Sequence, residues 1–384
     1  MINNASISNY NFDSCLIVFN EIINDARALN LARTLVKLNY KVCIIAYSNL
    51  ENEKLLEKEN IILFHINKSN HKKVWQKWLD FRKKAFLIKN KIKSKTYLAA
   101  DVYSLPIAIK FKNIFKSKMI YDSREIYSSL GPLHKNPYKQ KILSYLERRW
   151  IVNVDLILVS GEFDKIHLTQ LFNSISPIEI IKNFPPYQDK FKNDYLRINY
   201  KISKDKIILI YQGMILKGRG LEKLILSMKF IDNVCFCLVG DGNELNNLKL
   251  IVDKENLNDK VIFCGKFDYD KLYEITCSAE IGISFIEPIS FSYQLALPNK
   301  LFEYCMARIP TLTSDLPAMK AVIDEFNIGE YINYNSTPKD LALKLNEMVS
   351  NKKNYFENCD KAAHVLCFEI HLDKISKIMK DLCI

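Results

Sequence analysis

Glycine is scarce in this sequence of 384 residues: there are ten, and none before Gly131. The chain up to that point therefore holds no glycine-rich phosphate loop, and a GxGxxG dinucleotide fingerprint is excluded there. Long apolar runs are missing too. Stretches such as Cys15 to Phe19 and Lys206 to Tyr211 stop after a handful of residues, far short of the roughly 20 needed to cross a bilayer. None of the ten cysteines stands in a CxxC pair, and the six histidines form no HxH or HExxH, so no metal site is expected. Cys15, Cys43, Cys235 and Cys237 fall instead in strand-like apolar runs, where a reduced thiol acts as a small hydrophobe. The first dozen residues, MINNASISNYNF, carry neither a basic n-region nor an apolar h-region, so a cytoplasmic location is expected.

What is present is ordinary globular composition, 48% hydrophobic and 26% charged, in a chain long enough for two domains. Lysine and arginine outnumber aspartate and glutamate by 55 to 43, a net charge of +12, which implies attraction to something anionic: nucleic acid, lipid headgroups or a phosphorylated substrate. Much of that excess lies in residues 71–95, where Lys72, Lys73, Lys77, Arg82, Lys83, Lys84 and Lys89 face the single acid Asp80.

Seven strand-like runs (15–20, 41–47, 61–66, 96–100, 118–122, 155–160 and 178–181) alternate with stretches long enough for helices, such as 25–38 with Ala28, Leu31, Ala32 and Leu35 on one face. This is α/β alternation with a parallel sheet. The breaker cluster Asn183-Phe184-Pro185-Pro186 interrupts it, and the pattern restarts with runs at 206–213, 234–242, 260–267, 281–288 and 309–315. The spacing predicts helices at 220–229, 243–255, 270–279 and 299–307. Two Rossmann-like domains in tandem are expected, over 1–187 and 188–365, with a terminal helix over 366–384. In such sheets ligands gather at the carboxyl ends of the strands, and two domains would face each other across a cleft.

Eight of the ten glycines lie in the second half, several directly after strand-like runs, where close approach of backbone to a phosphate or base is expected. In Gly213-Met214-Ile215-Leu216-Lys217-Gly218-Arg219-Gly220 a strand ends, a glycine-rich turn follows and a helix opens, with Lys217 and Arg219 suited to a diphosphate. Read alone, the segment is equally a solvated turn. In Leu297-Pro298-Asn299-Lys300-Leu301-Phe302-Glu303, a proline at a helix start is followed by a carboxylate. Glu303 could accept two hydrogen bonds from the vicinal hydroxyls of a ribose, or simply be favoured by the helix dipole. Asp268-Tyr269-Asp270 spells the DxD of metal–diphosphate sites, but its place between a strand and KLYEI favours helix capping by an Asp.

Together these segments resemble the C-terminal domain of GT-B glycosyltransferases of family 4, the retaining group with nucleotide-sugar donors. The likeness runs from about Lys206 to Gly329, through the Gly213–Gly220 turn, the VGDG loop ending at Gly242, the Gly265-Lys266-Phe267 strand end and ALPNKLFEYCMARIPTLTSDLPAM. The N-terminal half is similar more loosely, through Asn24-Asp25-Ala26-Arg27, IYDSREIY at 120–127, Ser160 and IIKNFPP. The resemblance implies a GT-B fold whose terminal helix crosses back to the first domain. It implies a UDP- or GDP-sugar donor, with Arg219 and Lys300 on the phosphates, Glu303 on the ribose, and Gly213, Lys217, Pro298 and Asn299 around them. Gly240, Asp241, Gly242, Lys266 and Phe267 would form the base pocket. Two positions depart from the family: Leu295 stands where a first glutamate meets the transferred sugar, and Met214 where a basic residue follows the first glycine.

Asp122, Arg124 and Glu125 follow the strand-like KMIY run, where a carboxylate could take a hydroxyl proton and Arg124 could face a phosphate. The family often has a histidine at the position of Arg124. An ion pair within the loop explains the same residues. Front-side retaining transfer asks mainly for positioning and for cations on the departing diphosphate, so no metal or other cofactor is required. Val74, Trp75, Trp78, Phe81, Phe86 and Leu87 recur at near-helical spacing among the lysines of 71–95. This suits an interfacial helix on an anionic membrane or a domain helix with a buried stripe. A nucleic-acid partner leaves the Glu303 constellation unexplained. The expected enzyme is peripheral to the inner membrane face and moves a sugar to a lipid-linked or surface-glycan acceptor. A non-catalytic GT-B scaffold is the main rival reading, and a sugar-nucleotide epimerase rests on architecture alone.

Overall fold

The computed structural model describes residues 11–48, 56–127, 136–172 and 176–382. They belong to two compact units, which divide between Asn183 and Phe184; Glu369–Ile384 belongs with the first.

The first unit is built on seven parallel strands: β1 (Asn11–Val18), β2 (Val42–Ala46), β3 (Ile61–His65), β4 (Lys93–Ala99), β5 (Lys118–Ser123), β6 (Leu156–Val159) and β7 (Ile178–Ile180). Their order in the sheet is β3-β2-β1-β4-β5-β6-β7. Continuous apolar runs make such strands because both faces are covered. Cys15, Ile17, Ile45 and Tyr97 point into one core, which the Val74–Leu87 and Leu105–Phe115 helices complete with Phe81, Ala85 and Phe111. One residue out of phase, Leu98, Ile120 and Leu158 face the other way. There they meet Leu31 and Leu35 of the Ala26–Lys37 helix and Ile375 and Met379 of the Leu372–Asp381 helix. The terminal segment thus supplies part of the first unit's core.

The second unit has six parallel strands: β8 (Ile207–Gln212), β9 (Val234–Val239), β10 (Val261–Gly265), β11 (Ile281–Ser284), β12 (Thr311–Ser314) and β13 (Gly329–Ile332). They are ordered β10-β9-β8-β11-β12-β13. In each sheet the order reverses beside the first strand, between β1 and β4 and between β8 and β11, the switch points where open α/β sheets gather ligands.

At two glycines of the second unit a side chain would collide with neighbouring backbone. A Cβ on Gly240 would lie 1.9 Å from the Gly213 carbonyl oxygen, and one on Gly242 2.2 Å from that of Ile215. What they admit is the backbone of the neighbouring loop. The Gly213 N–H donates to Val239 O (2.9 Å), Gly240 N–H to Gly265 O (2.8 Å) and Ile215 N–H to Asp241 O (2.9 Å). The ends of β8, β9 and β10 are thereby joined to one another.

Nine cysteines, those before Cys383, are free and buried. Among the described residues no helix is long and apolar enough to cross a membrane.

Candidate functional site

At the end of β8 the buried Gln212 organises what surrounds it. Its amide oxygen accepts from Thr276 Oγ1 at 2.7 Å, which sets the amide's orientation and turns Nε2 toward Glu303 Oε2, 2.5 Å away. Its backbone N–H donates to Tyr304 Oη at 3.0 Å. Glu303 lies in the Asn299–Met306 helix, whose start Pro298 marks as N-cap rather than as first helical residue. Burial pushes the Glu303 carboxyl pKa up, opposed by the Gln212 hydrogen bond and by Lys300. Lys300, nearly one turn earlier, places Nζ 3.6 Å from the centroid of the Tyr211 ring and 3.4 Å from where a Gly213 Cβ would stand. Burial and the nearby Arg219 hold its pKa well below that of an ordinary lysine, with Glu303 pulling the other way.

Arg219 stacks its guanidinium 4.7 Å from the centroid of Tyr293. Its turn is seated on the segment after β11: a Cβ on Gly220 would lie 2.3 Å from Phe285, and Gly218 O accepts from the Glu287 N–H. Gly220 has φ +60° and caps the Leu221–Ser227 helix, a left-handed conformation that glycine adopts without strain. Arg219 and Lys300 thus rest on two aromatic rings, with the Glu303 carboxylate near Lys300. Lys217 is exposed on the same turn. Asp241 and Lys266 are exposed at the ends of β9 and β10, one and two strands away. Phe267 is half-buried, edge-on to Tyr195 at 6.2 Å.

Leu295 ends the four-residue Phe291–Gln294 helix, and Met214 is 59% exposed. Asp268 occupies the N-cap of the Tyr269–Thr276 helix, but its side chain makes no capping hydrogen bond, contrary to expectation. The Asp270 side chain lies outside the described residues.

In the first unit Asp122, which the sequence left open between a reacting group and an ion-pair partner, lies in a buried network of ion pairs. It is fully buried; the Arg27 Nε and Nη2 groups donate to it at 2.7–2.9 Å and Arg124 Nε at 2.9 Å. Burial alone would raise its pKa, yet the two guanidiniums hold it below the usual aspartate range. A carboxylate so saturated cannot accept a substrate proton. Arg124 continues the chain, its Nη1 meeting both oxygens of Asp25, which also caps the Ala26–Lys37 helix through the Ala28 N–H. The remaining Nη2 of Arg124 is buried and meets no hydrogen-bond acceptor among the described residues. Glu125 is exposed beside it.

The Val74–Leu87 helix divides the two readings of 71–95 between its faces. Phe81 and Ala85 are buried in the core, and Trp78 donates from Nε1 to Tyr103 O at 2.7 Å, whereas Trp75 is 56% and Leu79 46% exposed.

Residues 193–365 match the family model "Glycosyl transferases group 1". The chain is 25% identical over 302 residues to an uncharacterised glycosyltransferase of Methanocaldococcus jannaschii, covering 73% of this chain and 70% of that protein. Over 88 residues it is 31% identical to the lipopolysaccharide core biosynthesis glycosyltransferase LpsD of Rhizobium meliloti, 23% of this chain and 25% of that one. Among solved structures, Anabaena HepE in complex with UDP superposes with a TM-score of 0.72 at 13% identity, over 96% of this chain and 100% of the other. At that identity the likeness is one of fold.

Proposed function

We propose that this chain, whose residues 193–365 match the group 1 glycosyl transferase model and whose fold is like that of HepE, is a glycosyltransferase that moves a sugar, with retention, from a UDP- or GDP-sugar to a lipid-linked or surface-glycan acceptor at the cytoplasmic membrane face. The observation that carries the donor half is the Thr276–Gln212–Glu303 chain of hydrogen bonds beside Lys300 and Arg219. An ionised carboxylate only accepts, and the two hydroxyls of a ribose can both donate to it. Gln212 holds it in one orientation. Lys300 and Arg219, with Lys217 at the rim, supply positive charge for the diphosphate as the sugar departs, in a partly buried setting that strengthens their effect. The joined loops carrying Gly240, Asp241, Gly242, Lys266 and Phe267 are the side on which the base would lie. In the first unit the partly exposed Arg124 side chain would face an anionic part of the acceptor, and Glu125 is an exposed carboxylate at that strand end. The UDP of the HepE complex and the lipopolysaccharide role of LpsD support this choice of donor and acceptor class.

Release of nucleotide from a panel of UDP- and GDP-sugars tests the reading. Turnover with one donor is expected, and Arg219→Ala should lower it by about 10²–10³-fold, the usual loss when one charge-stabilising group is removed. A folded protein that releases no nucleotide from any donor overturns the reading.

Lys300 adds a pH signature. Its lowered pKa means that the cation is lost as pH rises, within a range below 10.5 where an ordinary lysine stays charged. Nucleotide diphosphate affinity should therefore fall on the alkaline side, and the fall should vanish in Lys300→Arg, whose charge persists. An identical alkaline profile in that variant removes Lys300 from the diphosphate site.

A further inference from the structure

The Pro137–Ile151 helix of the first unit turns an apolar stripe outward. Tyr138, Ile142, Tyr145 and Val152 are 80%, 60%, 62% and 59% exposed, and at about 100° per residue they share roughly 80° of arc. The opposite side holds the buried Glu147 and Ile151, so the stripe is not the core face of the helix. Tyr138, Ile142 and Tyr145 repeat at the interval by which a helix presents one ridge. Isolated exposed apolar residues call for no explanation, but an aligned row does.

Charge says what would cover it. Lys139, Lys141, Arg148 and Arg149 are all exposed on this helix, while its one acid, Glu147, is buried and accepts from Tyr121 Oη at 2.6 Å. Trp150 of the same helix packs against Trp78, ring centroids 6.3 Å apart, which brings alongside it the Val74–Leu87 helix with exposed Trp75, Leu79 and Lys83. The single acid there, Asp80, is paired with Lys84 at 2.7 Å. Two neighbouring helices thus expose aromatic and aliphatic groups within a basic surround, the composition of an element that rests in a lipid interface, with tyrosine at headgroup depth.

We propose that the outward face of the Pro137–Ile151 helix seats on an anionic bilayer, with Tyr138, Ile142 and Tyr145 entering the headgroup boundary and the flanking Lys139, Lys141, Arg148 and Arg149 meeting lipid phosphates. This extends the membrane reading of 71–95 to a second helix and rests on it, but is independent of the sugar donor.

The test is flotation of the full chain with phosphatidylcholine vesicles, with and without phosphatidylglycerol. The wild type should bind only the anionic vesicles, and less as salt rises. Ile142→Asp with Tyr145→Asp should weaken partitioning by about tenfold or more while keeping the wild-type circular dichroism and unfolding midpoint, because both side chains are exposed. Tyr145→Trp should shift its emission to the blue on vesicle addition. Reversal of Lys72, Lys73 and Lys83 to Glu provides the comparison. If that reversal abolishes binding while the Ile142/Tyr145 variant binds like wild type, the second helix is excluded and the 71–95 reading stands. If the wild type binds neither vesicle, both fall. If the stripe variant instead abolishes a concentration-dependent dimer, the face is a protein interface and the proposal is overturned.

Discussion

Glu303→Ala will lose nearly all of the thermal stabilisation that the cognate nucleotide diphosphate gives the wild type. A hydrogen bond to a charged acceptor contributes about 1.5–3 kcal/mol, and two from a ribose make a loss of about 10²-fold in affinity a conservative figure. At a ligand concentration of about 100 Kd the wild type gains about 2.7 kcal/mol; a hundredfold weaker variant gains only about 0.4. The comparison is made by thermal shift with UDP, GDP, ADP and CMP. The nucleotide that stabilises the wild type identifies the donor series, and an undiminished shift in the variant takes Glu303 out of the ribose site. Gln212→Ala should fall between the two. It leaves the carboxylate in place but frees it to rotate and removes the hydrogen bond that counters its raised pKa, so its deficit should be largest at low pH, where Glu303 protonates first.

Arg27→Met should destabilise the first unit by about 3–5 kcal/mol, the range found when one partner of a buried ion pair is removed. Arg27 and Asp122 are 2% and 0% exposed. Arg124 alone would be left to compensate the buried carboxylate, and the bond from Arg27 Nη1 to the Ile181 carbonyl would go too. Chemical denaturation followed by tryptophan fluorescence reads this unit, since Trp75, Trp78 and Trp150 all lie in it. Arg27→Met with Asp122→Leu should cost less than Arg27→Met alone, because the uncompensated charge is gone. A double variant less stable than Arg27→Met would contradict that account. Because the folded-state pKa of Asp122 is lowered, its contribution is present above the ordinary value of 3.8 and lost as pH falls through the folded one.

The strands were legible because a parallel sheet covered on both faces demands apolar runs, and twelve of the thirteen strands among the described residues overlap such runs, β1 and β4 beginning a few residues earlier in mixed sequence. The exception is β13, whose Glu330, Tyr331 and Ile332 are only half-buried at the sheet's edge, which leaves no apolar run to read. Of the candidate site, Arg219, Lys300 and Glu303 were legible because each belongs to a short local pattern. Their supports were not. Gln212 meets Glu303 and Thr276 across 91 and 64 residues, Tyr293 reaches Arg219 from the Phe291–Gln294 helix, and Arg27 meets Asp122 across 95. The last of these is why YDSRE could be read as a reacting group or as an ion pair within the loop: a strand-end carboxylate looks the same in sequence whether it faces solvent or a buried arginine 95 residues away.

The stitching of β8, β9 and β10 at Gly213, Gly240 and Gly265 has a thermodynamic corollary. Loops already bonded to one another have little conformational entropy left to lose when a ligand arrives. Nucleotide recognition on that side would be a docking of rigid partners, so a change of base preference should be reached by exchanging side chains such as Lys266 or Phe267, whereas Gly240→Ala would force apart the frame on which every nucleotide depends.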